Sequence, residues 1–166
     1  MKDVLTRGVF FVHSAPRAMC PHVEWAITNV LGVPSRFDWI EQPAAPGLVR
    51  TEFSWQGKQG SGSKIVSSLR GWDQLRFEVT EDPSFGVDGS RWSHTPSLGI
   101  FHANIDVHGN VMVPEGRVRS ALEHSHDAYR MRRELDLALG TAWDEELEPF
   151  RYAGEGAPVR WLHQVG

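Results

Sequence analysis

Residues 74–81, with the sequence QLRFEVTE, alternate between apolar and polar side chains at every second position. A period of two is typical of a β-strand with one buried face and one polar face. Residues 48–55 and 36–40 alternate in the same way, and charges of both signs occupy the polar positions of all three segments. Such charges can pair across neighbouring strands. We therefore expect the three segments to lie in one sheet, with their apolar faces toward helices.

A further strand and two helices complete the first half of the chain. Residues 4–13 contain the consecutive apolar run 9–12, which indicates a central strand covered on both sides. Apolar residues at helical spacing predict helices at 21–31 and 63–70. The order strand-helix-strand-strand-helix-strand is that of the ferredoxin-like βαββαβ fold. We predict an α+β fold with a four-stranded antiparallel sheet, its first and third strands central, and two helices on one face.

The second half of the chain predicts an extension of this unit. Its apolar C-terminal residues are too numerous for a frayed tail, so we expect the tail to dock. We treat residues 1–166 as a single domain, with the ferredoxin-like unit at 1–82 and the extension at 83–166 packed on it. The extension is predicted as a short strand at 91–95, a hairpin of strands 98–107 and 111–113, a long helix at 115–139, a short helix from Thr141 and a docked tail at 151–166.

Composition and charge narrow the class of protein. The 166 residues include 17 Lys and Arg against 21 Asp and Glu, a net charge of -4. This balance, with no aromatic residues on the polar sheet face to stack on bases, argues against nucleic acid as a partner. The single cysteine excludes an internal disulfide and favours the cytoplasm. No apolar run approaches the roughly 18 residues of a membrane span, so we predict no membrane segment.

The first candidate site combines His13, Cys20 and His22. Cys20 falls at the start of the first helix, where the helix dipole lowers the pKa of a thiol. A reactive thiol is therefore one interpretation, and a His/Cys metal site is another. A buried, unreactive thiol is the more common case for a lone cysteine.

The second candidate site is a polar row on the strand at 98–108. Its members are His102, Asn104, Asp106 and His108, which a period of two places on one face. Such a row fits acid–base chemistry or a metal. The alternative is a solvated face opposite a buried one.

Three further features have weaker functional interpretations. Trp25 and Trp92 are candidate contact aromatics, although a docked tail would cover Trp25. His124 and His126, two residues apart on the long helix, point away from each other and are predicted to be surface residues. The glycine- and serine-rich loop at 57–64 could hold an anion on its backbone amides, or it is simply a flexible turn.

Four long blocks of the chain carry a family resemblance. They are VHSAPRAMCPHVEWA at 12–26, QPAAPG at 42–47, LRFEVTEDPSFGVDGSRWSHTPSLGIF at 75–101 and GTAWDEELEPFRYAGEGAPVRWLHQVG at 140–166. Through them the chain resembles, over nearly its full length, an actinobacterial family of small single-domain proteins of unknown function. The resemblance implies a soluble, cytoplasmic bacterial protein and brings with it no activity, cofactor or catalytic residue.

The leading functional hypothesis is a non-catalytic binding or regulatory module, acting through an unknown protein partner or a small ligand. It needs no cofactor and no metal. The alternative is an enzyme or metal-binding protein that uses one of the two candidate clusters. A third reading is a homodimer formed through an open sheet edge.

Overall fold

The computed structural model describes residues 3–151, which form one seven-stranded antiparallel sheet and five α-helices. The sheet order is β2-β3-β1-β4-β5-β6-β7. The strands are β1 (Leu5–Pro16), β2 (Ile40–Glu41), β3 (Leu48–Lys58), β4 (Arg76–Glu81), β5 (Gly89–Thr95), β6 (Gly99–Ile105) and β7 (Val111–Met112). The helices are α1 (Cys20–Leu31), α2 (Ser61–Leu69), α3 (Glu115–His124), α4 (Ala128–Leu139) and α5 (Thr141–Arg151).

The main hydrophobic core lies between the sheet and the helices α1 and α2. Phe10 of β1 and Phe77 of β4 are buried there against Ile27 of α1 and Ile65 of α2. The alternating apolar positions of β1 and β4 face these helices, so the predicted pairing of an apolar sheet face with two amphipathic helices is confirmed.

The sheet is more extensive than predicted. Strand β5 pairs with β4, and β6 and β7 follow, so the sheet has seven strands rather than four. The second half of the chain therefore adds strands to the sheet instead of only covering one of its faces. The prediction of a four-stranded sheet with its first and third strands central is not confirmed, because the middle strand of the seven is β4, with β1 beside it and β3 next to the edge strand β2.

The strand predicted at 36–40 is wrong in most of its length, because only Ile40 belongs to β2. The side chain of Glu24 on α1 binds this segment instead. Its Oε1 accepts hydrogen bonds from the backbone N of Phe37, at 3.4 Å, and from Nε1 of Trp39, at 2.8 Å. The alternating aromatic residues still face the core, but their backbone does not extend the sheet.

The single helix predicted at 115–139 is also wrong, because α3 ends at His124 and α4 begins at Ala128. The carboxylate of Asp127 accepts a hydrogen bond from the backbone N of Arg130, at 2.8 Å, and so caps a new helix. His124 is therefore the last residue of α3, and His126 lies in the connection. Both are exposed, as predicted.

The second face of the sheet is covered by α5. Leu147 is fully buried in this contact, and Trp143 donates a hydrogen bond from Nε1 to the carbonyl oxygen of Gly99, at 3.0 Å. The Trp143 ring also packs on Phe101 of β6. The predicted short helix from Thr141 with an apolar face is thus confirmed. No helix between residues 3 and 151 is long and apolar enough to cross a membrane.

Candidate functional site

A cluster of ionisable side chains is buried beneath α5. Glu78, on the second face of β4, accepts a hydrogen bond from Nε2 of His13 at 2.6 Å and one from Oγ of Ser93 at 3.1 Å. Arg151, at the end of α5, binds both Glu78 oxygens, with Nε at 3.0 Å from Oε2 and Nη2 donating to Oε1. The side chains of His13, Glu78 and Arg151 are 3%, 0% and 4% exposed.

The cluster continues to a second carboxylate on α5. Nη2 of Arg151 lies 2.9 Å from Oδ1 of Asp144, and Nη2 of Arg91 on β5 lies 2.5 Å from the same oxygen. We call His13, Glu78, Arg91, Asp144 and Arg151 the ionic clamp. Its members come from β1, β4, β5 and α5, so it ties the last helix to three central strands.

Charges within the clamp favour the ionised forms of Glu78 and Arg151. Burial raises the pKa of the Glu78 carboxyl, but the hydrogen bonds and positive charges of His13 and Arg151 outweigh it and hold that pKa far below its ordinary value. Burial lowers the pKa of the Arg151 guanidinium, but Glu78 and Asp144 outweigh it and raise that pKa. Because the ionised Glu78 carboxylate only accepts hydrogen bonds, Nε2 of His13 carries the proton between them.

The geometry of the clamp fits a structural role better than a catalytic one. Both Glu78 oxygens are engaged by protein donors, and the three central side chains are almost inaccessible to solvent. A general acid or base must reach the proton it transfers on a substrate. The clamp therefore positions α5, and its three central side chains, His13, Glu78 and Arg151, are not accessible to a ligand.

The three residues of the first candidate site do not converge. His13 lies on the sheet face under α5, whereas Cys20 and His22 belong to α1 on the opposite face. His22 is exposed and contacts the edge of the Trp72 ring. The described residues contain no group of three His, Cys, Asp or Glu side chains that could hold a metal.

The environment of Cys20 opposes a reactive thiol. Its Sγ lies 3.8 Å from the carbonyl oxygen of Pro16 and is buried. Burial raises the pKa of this thiol, as does the nearby Glu24 carboxylate, and the Arg17 charge offsets only part of the change. The expectation that the helix start lowers this pKa is therefore wrong, because desolvation and a negative charge act against the thiolate.

We expect Cys20 to react slowly with iodoacetamide at pH 7.5, at least about tenfold more slowly than an unstructured cysteine peptide, since the thiolate is the nucleophile. The rate can be measured by mass spectrometry. A matched control is Cys20→Ser combined with Ser67→Cys, which moves the thiol to an exposed position on α2. Alkylation of Cys20 as fast as that of the control would contradict this interpretation.

The second candidate site is also divided. His102 and Asn104 lie on β6 with exposed side chains, whereas Asp106 and His108 follow the end of the strand. Asp106 caps the turn to β7, because its carboxylate accepts hydrogen bonds from the backbone N of His108 and of Asn110. The opposite face of β6 is buried, as the solvated-face interpretation expects.

Two aromatic candidates have different environments. Trp92 is 9% exposed and belongs to the hydrophobic core, with its ring stacked on His102, so it presents no surface to a partner. Trp25 is 67% exposed on α1. The tail predicted to cover Trp25 lies almost entirely in residues 152–166, outside the described residues.

The loop at 57–64 already holds an anionic group of the protein itself. The carboxylate of Glu81 accepts hydrogen bonds from the backbone N of Gly60, at 2.7 Å, and of Gly62, at 2.8 Å. It sits at the start of α2, where the helix dipole stabilises a negative charge. This contact fills the backbone cradle that the sequence suggested for an anion.

A groove of about 680 Å³ lies between α3 and α4. Arg117 of α3 and Arg130 and Arg133 of α4 line it, and its lining includes the buried small residues Ala121 and Ala138. Within residues 3–151, no carboxylate forms an ion pair with these three arginines. We call this feature the α3–α4 groove. Its other lining residues are Ser120, His124, Ser125, Glu134, Leu135 and Leu137.

The remaining arginines of the two helices contrast with those of the groove. Arg119 pairs with Glu115, at 2.6 Å, and Arg132 pairs with Asp136, at 3.8 Å, each one helical turn away. Neither Arg119 nor Arg132 lines the groove. The groove therefore gathers three arginines that form no ion pair with a carboxylate within residues 3–151, although Glu134 also lines it.

Fold and site together define an α+β protein with one antiparallel sheet. Helices cover both faces of the sheet, and the buried ionic clamp holds helix α5 against it. The chain belongs to the DUF3145 family, described as a protein of unknown function, whose family model matches residues 9–164. No curated protein matches the chain, and no solved structure matches it. Membership of a family of unknown function over nearly the full length is thus confirmed.

Sequence reasoning missed both the clamp and the groove. The sequence places Glu78 on a polar strand face whose charges can pair across neighbouring strands, and Arg151 at the beginning of the predicted tail. One signal was available, because the strand at 9–12 is apolar on both sides and so required a cover for the second face. The α3–α4 groove depends on the break at residues 125–127, which the helical periodicity does not reveal.

Proposed function

We propose that this protein is a non-catalytic binding module and that the α3–α4 groove is its binding surface. The observation that carries the proposal is the set of three arginines without ion pairs within residues 3–151, gathered around one groove. Its volume lies within the roughly 300–1,000 Å³ typical of ligand sites. The charge and shape of the groove suit an anionic ligand.

The other features of the molecule support this choice of surface. Both carboxylate oxygens of Glu78 in the clamp are engaged by protein donors, and the two candidate clusters of an enzyme are each spread over separate elements. A dimer through a sheet edge has less support, because both edge strands, β2 and β7, are only two residues long.

The proposal includes the architecture that presents the groove. We take residues 5–81 as a ferredoxin-like unit, which is supported by antiparallel pairing of β1 with both β3 and β4. The sheet continues from β4 to β5 without interruption, which supports a single domain. The single cysteine supports a cytoplasmic location, and an actinobacterial origin stays a prediction.

The proposal is tested by affinity purification from the native lysate, followed by quantitative mass spectrometry. Wild type is compared with Arg117→Gln/Arg133→Gln and with Arg119→Gln/Arg132→Gln. Each double variant removes one arginine from each helix and changes net charge equally, but only the first alters the groove. We expect a partner recovered in stoichiometric amount with wild type and the Arg119/Arg132 variant, and depleted at least about tenfold with the groove variant, a loss of about 1.4 kcal/mol in binding.

Equal recovery of every co-purifying protein by the two double variants would refute the groove as the binding surface. Recovery of no partner, together with a monomer in light scattering, would refute a protein-binding module. Circular dichroism of both variants establishes whether they fold like wild type.

A further inference from the structure

The chemistry of the α3–α4 groove also specifies a class of ligand. Its arginine side chains offer planar guanidinium groups, which bind carboxylates and phosphates through paired hydrogen bonds. Arg117 approaches from α3, and Arg130 and Arg133 approach from α4. A ligand in the groove can therefore be contacted by positive charge from both walls.

The groove is not uniformly polar. Ala121 and Ala138 are buried in it, and Leu135 and Leu137 also contribute to its lining, with Leu137 40% exposed. The two alanines are already covered by the protein, whereas an exposed leucine gains from burial in an apolar contact. The matching ligand carries apolar groups beside its negative charges.

The dimensions of the groove favour a segment of chain. Helix α3 has 10 residues and α4 has 12. At about 1.5 Å per residue, α4 extends for about 18 Å, which is long for a single phosphate group. Among the described residues, no Phe, Tyr or Trp side chain lines the groove, and His124 supplies its one aromatic ring, so the groove lacks the row of large rings on which successive nucleic-acid bases stack.

From these features, and resting on the proposed function, we infer that the α3–α4 groove binds an acidic peptide segment of a partner protein, in which apolar side chains are interspersed among carboxylates. Carboxylates of the segment pair with Arg117, Arg130 and Arg133, and its apolar side chains pack on Leu135 and Leu137. Glu134, which also lines the groove, disfavours carboxylates beside it and thereby limits where the negative charges can lie.

Fluorescence anisotropy with defined probes tests this inference. The main probe is a labelled peptide of about 12 residues that repeats Glu-Glu-Leu, to match the length of α4. Comparison probes are a Lys-Lys-Leu peptide of equal length, a labelled single-stranded DNA and inorganic phosphate as a competitor. The proteins are full-length wild type, Arg117→Gln/Arg133→Gln and Arg119→Gln/Arg132→Gln.

We expect the acidic peptide to bind wild type and the Arg119/Arg132 variant within about twofold of each other. The groove variant should bind at least about tenfold more weakly, or about 1.4 kcal/mol. Added salt should weaken binding to wild type, because exposed charges are screened. If the groove variant unfolds, Arg117→Lys/Arg133→Lys preserves the charge and is expected to retain measurable binding.

Several outcomes would overturn the inference. They are equal binding of the lysine peptide, tighter binding of the DNA, displacement of the peptide by phosphate at similar concentration, equal weakening by both double variants, and no binding of the acidic peptide to wild type. If the peptide fails while the groove variant still loses a partner from the lysate, the ligand class is wrong and the groove remains the binding surface.

Discussion

Replacing Glu78 by Gln should lower the free energy of unfolding by about 3–5 kcal/mol, as expected when one member of a buried ion pair is removed. The amide keeps the shape of the side chain but cannot balance the charge of Arg151, whose side chain is 4% exposed. The substitution also replaces the carboxylate oxygen Oε2, which accepts a hydrogen bond from Nε2 of His13 at 2.6 Å, by an atom of a neutral amide. Urea denaturation followed by tryptophan fluorescence at pH 7 measures the loss.

The matched control is Asp82→Asn, which breaks the ion pair between Arg7 and Asp82. The side chains of that pair are 75% and 48% exposed, so we expect a change below about 1 kcal/mol. A Glu78→Gln protein as stable as the control would mean that the clamp does not hold α5 on the sheet.

The pH dependence of stability provides a second readout of the same residue. The pKa of Glu78 is lower in the folded than in the unfolded protein, so its contribution is present above the ordinary carboxyl pKa of 4.5 and is lost as pH falls from there toward the folded value. Wild type should therefore lose stability on acidification through this range. The Glu78→Gln variant should lose less, because it lacks the titrating group.

Replacing Gly8 by Ala should cost about 3 kcal/mol, at the upper end of typical overpacking effects. A Cβ at this position of β1 would lie 1.8 Å from the carbonyl oxygen of Thr80 and 2.7 Å from Cζ2 of Trp55. The first of these atoms belongs to the backbone of β4, so relief requires β1 and β4 to separate. Thermal and urea denaturation both measure the effect.

Gly116→Ala is the corresponding control, because a Cβ there meets nothing within 4 Å. Gly116 lies in α3, where alanine is the better helix former, so we expect a gain of about 0.5 kcal/mol. The two substitutions add the same methyl group and should have opposite signs. A Gly8→Ala protein as stable as wild type would show that β1 and β4 are not so closely apposed.

Much of the local structure was predictable because it depends on neighbouring residues. The alternation at 74–81 predicts β4, and the short helix predicted from Thr141 corresponds to α5. The alternation at 36–40 misled, because Glu24 on a separate helix supplies the hydrogen bonds that a strand partner would have supplied. The spacing of apolar residues does not predict the break before α4, because the break depends on the Asp127 side chain. Its carboxylate accepts a hydrogen bond from the backbone N of Arg130 and so starts a new helix.

The candidate sites likewise depend on contacts that the spacing of residues in the sequence does not predict. The row from His102 to His108 was predicted as one face of a strand, yet Asp106 forms a turn instead, because its carboxylate binds the backbone of Asn110. His13 and Cys20 are close in the sequence but lie on opposite sides of the sheet. Proximity along the chain therefore did not produce a site at either place.

The sequence by itself determined both helices and three of the four predicted strands of the first half, their apolar faces and the ordinary charge balance, since periodicity and composition are local properties. Only the tertiary structure decided that α5 covers the second sheet face and that the Glu78 carboxylate meets Arg151 from a helix 73 positions along the chain. It also decided that Arg117 of α3 and Arg130 and Arg133 of α4 line one groove. Contacts between distant segments depend on how the elements pack, and the pattern within one segment does not identify the segment that it will contact.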